Sequence, residues 1–240
     1  MNFLHNIPLF TIVMSFLTSV VCSIVSAKWA KRIYAVIGMV VIGLTTYLMV
    51  HTLIMGESFV YMMGHFPAPW GNEIRAGMLE ALTALVFSLV MLLSFLGGMK
   101  KLQEHMAHQN QSLYCVVLLL MTAALMAQVY TNDIFTGYVF LEIMTLAACA
   151  LIAVRKRGRT LVAAAKYMIM NLIGSGLFLL GIIFLYDITG HLLMENIGDA
   201  VAHIATTGEY RQPLIVVVAL ISIGLCIKSA LFPFHTWVPD

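Results

Sequence analysis

Glu142, Lys166, Lys228 and His235 are the side chains whose type and placement could hold or pass a proton. Glu142 sits in Val139-Phe-Leu-Glu-Ile-Met-Thr-Leu-Ala147, and Lys228 closes an apolar run that begins near residue 213. An ionisable group inside a run long enough to span a bilayer is costly to keep charged, so it reads as functional by default. Lys228 is the natural partner of Glu142. A lysine in a low dielectric binds its proton less tightly, and a nearby carboxylate restores that affinity. Such a pair can hold or release a proton as one member moves. The plainer reading of Lys228 is a side chain that snorkels to the membrane surface. Pro233 and Pro239 follow it and are expected to break the helix there, which argues against an ordinary helix end. Broken helices beside a buried charge are how transporters build ion sites. Lys166 lies about one turn inside its own apolar run, where snorkelling explains it equally well. His235 falls in the broken stretch, where an imidazole could relay protons.

These residues need helices to hold them. The chain has 240 residues, of which 61% are hydrophobic and 10% charged, and its mean hydropathy is +0.96. That composition excludes a soluble domain and predicts an all-α polytopic membrane protein. Seven apolar runs, roughly 3–26, 33–55, 76–97, 113–131, 135–154, 162–186 and 213–231, are long enough to span. At about 1.5 Å per residue each reaches or nearly reaches the roughly 30 Å hydrocarbon core. Lipid offers no hydrogen bonds to the backbone, so the runs must be helices, with the last one broken. Nine of the 13 basic residues fall in the connections after the first, third and fifth runs: Lys28, Lys31, Arg32, Lys100, Lys101, Arg155, Lys156, Arg157 and Arg159. Only Arg75 and Arg211 fall on the other side. The positive-inside rule predicts a multi-pass protein of the inner (plasma) membrane with its N-terminus outside. The first run has no basic stretch before it and no convincing cleavage site, so it reads as a retained helix.

The remaining residues fit this frame. Residues 187–212 contain a stretch whose apolar spacing suits a short amphipathic helix at the outer surface. Glu80 is expected at the interface and Asp133 in solvent. The four cysteines, Cys22, Cys115, Cys149 and Cys226, all lie in apolar runs without a C-x-x-C pair and read as free buried thiols. The eight histidines make no ligand spacing, and no phosphate loop, haem or iron–sulfur pattern is present, so no metal and no cofactor is expected. Seven spans with a lysine in the last also match the count of a retinal Schiff-base protein. The prolines after Lys228, and the placement of Trp29, Trp70 and Trp237 at or near segment ends, argue against that reading.

The stretch Lys228-Ser-Ala-Leu-Phe-Pro-Phe-His-Thr-Trp-Val-Pro-Asp240 closely resembles the K-S-A-x-x-P-x-H-x-W-x-P-D signature of the antiporter-like subunits. These occur in respiratory complex I, in Mrp-type Na+/H+ antiporters and in membrane-bound hydrogenases. The pattern around Glu142 looks like that family's fifth-helix glutamate motif. Ala165-Lys-Tyr167 resembles the opening of its sixth helix, and Pro67-Ala-Pro-Trp-Gly71 with Glu73-Ile-Arg75 resembles its loop before the third helix. Gly77 stands where relatives commonly carry an acid.

The resemblance implies an incomplete antiporter-like fold, the N-terminal half of the family's roughly fourteen helices. It divides the chain into an N-terminal three-helix membrane segment, 1–112, and an incomplete first proton-channel repeat, 113–240. It implies an H+ or Na+/H+ translocating subunit of a multisubunit complex, with Glu142 and Lys228 as the charged pair, Lys166 as the sixth-helix lysine and His235 as the motif histidine. It makes the chain at most a membrane subunit of an oxidoreductase, with no redox chemistry of its own. The expected partners are other membrane subunits, including any chain that supplies helices 8–14, together with the lipid bilayer and H+ or Na+; nucleic acid is not among them. The competing expectation is a truncated, non-conducting scaffold or assembly fragment of such a complex.

Overall fold

The computed structural model of the protein describes residues 3–63, 66, 71–105, 108–154 and 158–238. The turn at Pro67–Trp70, the basic residues Arg155, Lys156 and Arg157, and Pro239 and Asp240 lie outside the described residues.

Eight α-helices and one β-hairpin follow one another along the chain. They are α1 (Ile7–Ile24), α2 (Ala27–Met55), β1 (Phe59–Met62), β2 (Glu73–Ala76), α3 (Met78–His105), α4 (His108–Tyr130), α5 (Ile134–Ala153), α6 (Gly158–Thr189), α7 (Met194–Thr207) and α8 (Arg211–Lys228). Seven of them, all but α7, are long and apolar enough to cross a membrane. This is the all-α polytopic architecture expected from the sequence.

Local chemistry sets the helix ends. Gly56 adopts a left-handed conformation at φ 67° and turns its N–H back to the Thr52 carbonyl, closing α2. Gly208, at φ 78°, closes α7 in the same way on Ile204. Asp133 caps α5 by accepting from the Thr136 N–H at 2.7 Å. Helices α2 and α3 extend beyond their apolar runs, so Lys28, Lys31, Arg32, Lys100 and Lys101 ride on helix ends rather than in loops. A polar flank can continue a helix once the apolar part has nucleated it.

Two sets of contacts mark the two ends of the bundle. At one end β1 and β2 pair antiparallel, with Val60 opposite Arg75. Thr131 bridges to Ile74 of β2, and Asp133 bridges to Leu193. The Asn132 N–H donates to the Glu73 carbonyl, its side-chain amide donates to Glu73 Oε1 at 2.6 Å, and its carbonyl accepts from Met194. Three connections are thereby clasped together, and the His5 ring lies against Phe59 beside them. At the other end Lys31 donates to Gln111, and Asn110 donates to the Val154 carbonyl. The clasp corrects two expectations. The connection between α2 and α3 contains a hairpin as well as a turn, and Asp133 is 5% exposed rather than solvated. Its carboxylate is spent on a helix cap beneath the Leu192–Met194 segment.

The core lies within α1–α4. One cluster joins Ile7, Val41, Leu48, Ala84, Met126 and Tyr130 to Ile74 of the hairpin; a second joins Cys22, Tyr34, Leu92, Phe95, Cys115 and Leu119. Helix α5 packs on α4, α6 on α5, and α8 almost wholly on α6.

Candidate functional site

The site lies where α5, α6 and α8 meet. Glu142 and Thr145, three residues apart, share one face of α5. Asn171 and Ser175, four apart, share the buried face of α6. Lys228 is the last residue of α8.

Glycines bring these faces together. A methyl group on Gly224 would come within 2.7 Å of the Gly174 carbonyl oxygen and 2.8 Å of the Phe178 nitrogen. One on Gly181 would meet Ile221 at 2.6 Å. Only glycine permits this backbone-to-backbone approach, the usual basis of tight helix pairs in lipid. Lys228 lies one turn beyond Gly224, and Ser175 adjoins Gly174. The close approach therefore delivers the lysine to the polar patch on α6 and α5.

Lys228 Nζ donates to Glu142 Oε1 at 2.7 Å and to Thr145 Oγ1 at 3.2 Å. The lysine side chain is 7% exposed and the glutamate 22%. Ser175 Oγ reaches the same carboxylate oxygen and also lies 2.8 Å from the Asn171 carbonyl. A hydroxyl has one proton to give. Ser175 can therefore donate to Glu142 or back to its own helix, but not to both at once. Thr145 donates its own proton to the Leu141 carbonyl at 2.7 Å, which leaves its oxygen free to accept from the lysine.

Helix α8 stops at the lysine for a backbone reason. Ala230 takes the left-handed conformation at φ 53°, its N–H donates to the Ile227 carbonyl, and the Leu231 N–H donates to that of Cys226. This is a Schellman termination with alanine where glycine is usual. It ends the helix before Pro233, the residue expected to break it; a 3-10 turn, Phe234–Trp237, follows the proline.

The other two site candidates stand apart from the pair. Lys166 is exposed on α6; nine residues, roughly two and a half turns, separate it from Ser175 and turn it to the opposite face. His235 is exposed in the 3-10 turn and stacks on Phe232 with ring centroids 5.7 Å apart. Two residues on, Trp237 meets Tyr167 of α6 edge-on at 5.1 Å, which ties the turn to α6. Sequence reasoning missed Thr145, Ser175, Gly174 and Gly224. A signal was present in the small residues of α6, where Gly174 and Gly181 recur at a seven-residue interval on one face. Glu80 accepts from the Gly77 N–H at 2.9 Å and so serves the start of α3. An acidic side chain at position 77 would crowd that contact, since a Cβ there would lie 2.9 Å from Glu80 Oε2. Among the described residues no three His, Cys, Asp or Glu side chains gather into a metal site.

Residues 131–240, which include the pair, match the family described as NADH:quinone oxidoreductase/Mrp antiporter, TM. The chain is 36% identical over 195 residues to the NADH-quinone oxidoreductase subunit N of Desulforudis audaxviator, an alignment covering 79% of this chain and 36% of that protein. It is 28% identical over 203 residues to a Na(+)/H(+) antiporter protein of Bacillus subtilis, covering 85% of this chain and 39% of that one. Its fold superposes on a chain of the membrane-bound sulfane sulfur reductase, an archaeal respiratory membrane complex, with a TM-score of 0.85 and 27% identity over 99% of this chain and 47% of the other. The chain thus spans less than half the length of these proteins.

Proposed function

We propose, from the premise that this chain belongs to the antiporter-like membrane subunit family of NADH:quinone oxidoreductases and Mrp antiporters, that it translocates protons or sodium ions through the Glu142–Lys228 pair. The observation that carries this reading is the 2.7 Å ion pair joining two membrane-spanning helices, with one member at the point where its helix ends. Each charge alone would be expensive in a bilayer, and each is tolerated because the other is there. Moving the lysine away exposes the carboxylate, which then takes a proton or a cation. Ser175 can turn its hydroxyl from the Asn171 carbonyl to the carboxylate in that state, and so softens the cost of separation. The Schellman turn at Ala230 gives the lysine a helix end, which can shift without bending the whole of α8.

In this reading residues 113–240 carry the conducting machinery and residues 1–112 support it. Lys166 and His235 would serve at the approaches to the pair. The chain works beside other membrane subunits, as its relatives' names imply, in an inner membrane with its N-terminus outside. An exposed cysteine introduced as Glu195→Cys should then react with an impermeant label from outside, and one introduced as Arg159→Cys should not. The reverse pattern overturns the orientation.

The test is ion movement in proteoliposomes that hold this chain with its associated membrane subunits, followed with a pH dye and a sodium probe. Lys228→Ala and Glu142→Ala should abolish coupled movement while leaving insertion intact. Lys228→Arg should fail as well, because a guanidinium does not release its proton. Wild-type rates from Lys228→Ala and Lys228→Arg would show the lysine to be structural.

A further inference from the structure

We propose that the groove between α7 and the start of α8 is a binding site for an anionic phospholipid. A cavity of about 370 Å³ lies there, lined by Ile204, Ala205, Leu214, Ile215, Val218 and Arg211. Its volume falls within the roughly 300–1,000 Å³ of small-molecule sites, enough for a headgroup and the first part of one acyl chain.

Charge and position select the occupant. Five of the six lining residues are apolar, and Ile215 and Val218 are more than half exposed along the groove. The sixth, Arg211, is an exposed cation that makes no hydrogen bond or ion pair among the described residues. Glu209, two residues before it, makes no ion pair with it either. A guanidinium offers five donors in a planar fork that suits a phosphate. Arg211 also opens α8, so the first-turn amides of Arg211 and Gln212, which no helical carbonyl can reach, face the same end. The walls differ in character: α8 is a candidate membrane span, whereas α7 is a 14-residue amphipathic helix. An amphipathic helix beside the end of a span sits at the depth of the headgroups. A ligand with a phosphate at one end and a hydrocarbon chain at the other meets both halves of the site; a soluble phosphate meets only one.

Native mass spectrometry of the detergent-solubilised protein in its membrane complex, titrated separately with phosphatidylglycerol and phosphatidylcholine, tests the site. The wild type should retain phosphatidylglycerol in preference to phosphatidylcholine. Arg211→Gln should weaken phosphatidylglycerol retention about fivefold, the effect of one basic group at an anionic headgroup, and leave phosphatidylcholine unchanged. Val218→Trp, which fills the groove at an exposed position and keeps the charge, should weaken it as well. Undiminished phosphatidylglycerol retention by both variants overturns the proposal. So does equal retention of the two lipids by the wild type, or displacement of the lipid by millimolar inorganic phosphate, which would mark a simple anion site. A photo-crosslinker placed at Ile215 should capture lipid; capture of a protein segment in its place would also overturn it.

Discussion

The helices of α1–α4 and those of α5, α6 and α8 treat their polar groups in opposite ways. In the first region Thr11, Ser15, Thr45, Ser88 and Thr122 are buried, and each donates to a carbonyl of its own helix. Ser19 and Ser112 cross between α1 and α4, but only to backbone oxygens. Polar groups satisfied this way do not depend on where a neighbouring side chain stands. In the second region Lys228, Glu142 and Ser175 satisfy one another across three helices. The packing differs to match. Half of α4's apolar stretch, 50%, is buried, against 11% in α5 and 17% in α8. The first region is a scaffold whose hydroxyls are silenced locally. The second holds a charge pair that exists only while three helices keep their places, which makes it sensitive to movement.

This contrast can be broken from either side. The largest effect is expected in the scaffold: Leu48→Ala, at a fully buried position, should cost about 2–5 kcal/mol of stability by opening a cavity. Ion movement per folded molecule should be unchanged. A loss of transport greater than the loss of folded protein, read by thermal unfolding beside vesicle assays, would erase the division between the two regions.

Gly224→Ala probes the other region and should cost about 1–3 kcal/mol by overpacking, since the new methyl group meets backbone atoms of α6 that cannot turn aside. Transport should fall further than stability does, because Lys228 is carried away from Glu142. Gly43→Ala on α2, where nothing lies within 4 Å of the added carbon, is the matched control and should be neutral or mildly stabilising. Equal behaviour of the two glycine variants would show that the close approach does not position the pair.

Asp133→Ala should cost about 0.5–2 kcal/mol through loss of the α5 cap. Hydrogen exchange should rise in the first turn of α5 and at the hairpin, leaving α8 unchanged. The smallest effect is a gain. Ala230→Gly relieves a left-handed alanine and should stabilise the end of α8 by under about 1 kcal/mol, after allowance for glycine's entropy. Unfolding midpoints in a mild detergent would detect it, and a loss would mean that the turn at Ala230 is held by contacts the alanine methyl makes.

Much of the pair is legible in the sequence alone. Glu142 and Lys228 stand out because a charge in an apolar run is rare and expensive, a property visible in one dimension. The seven spans are legible for the same reason. Asp133 was misjudged because its position between two runs resembles a solvated turn, and its burial comes from a segment about sixty residues away. The hairpin was missed because β1 is only four residues long and gains its partner across a loop. Thr145 and Ser175 carried no signal of their own, since hydroxyls are common in membrane helices and usually bond to their own backbone, as those of α1–α4 do.

By itself, then, the sequence determined which segments enter the membrane, which ionisable groups go with them, and where glycine leaves room for close contact. Those follow from the cost of exposing charge and backbone to lipid, which depends on composition along a single run. Only the tertiary structure decided that Gly174 meets Gly224, that Lys228 therefore reaches Glu142 rather than the membrane surface, and that Ser175 and Thr145 complete the set while Lys166 turns away. Those outcomes depend on how three helices are rotated about their axes, and rotation is set by packing between residues far apart in the chain.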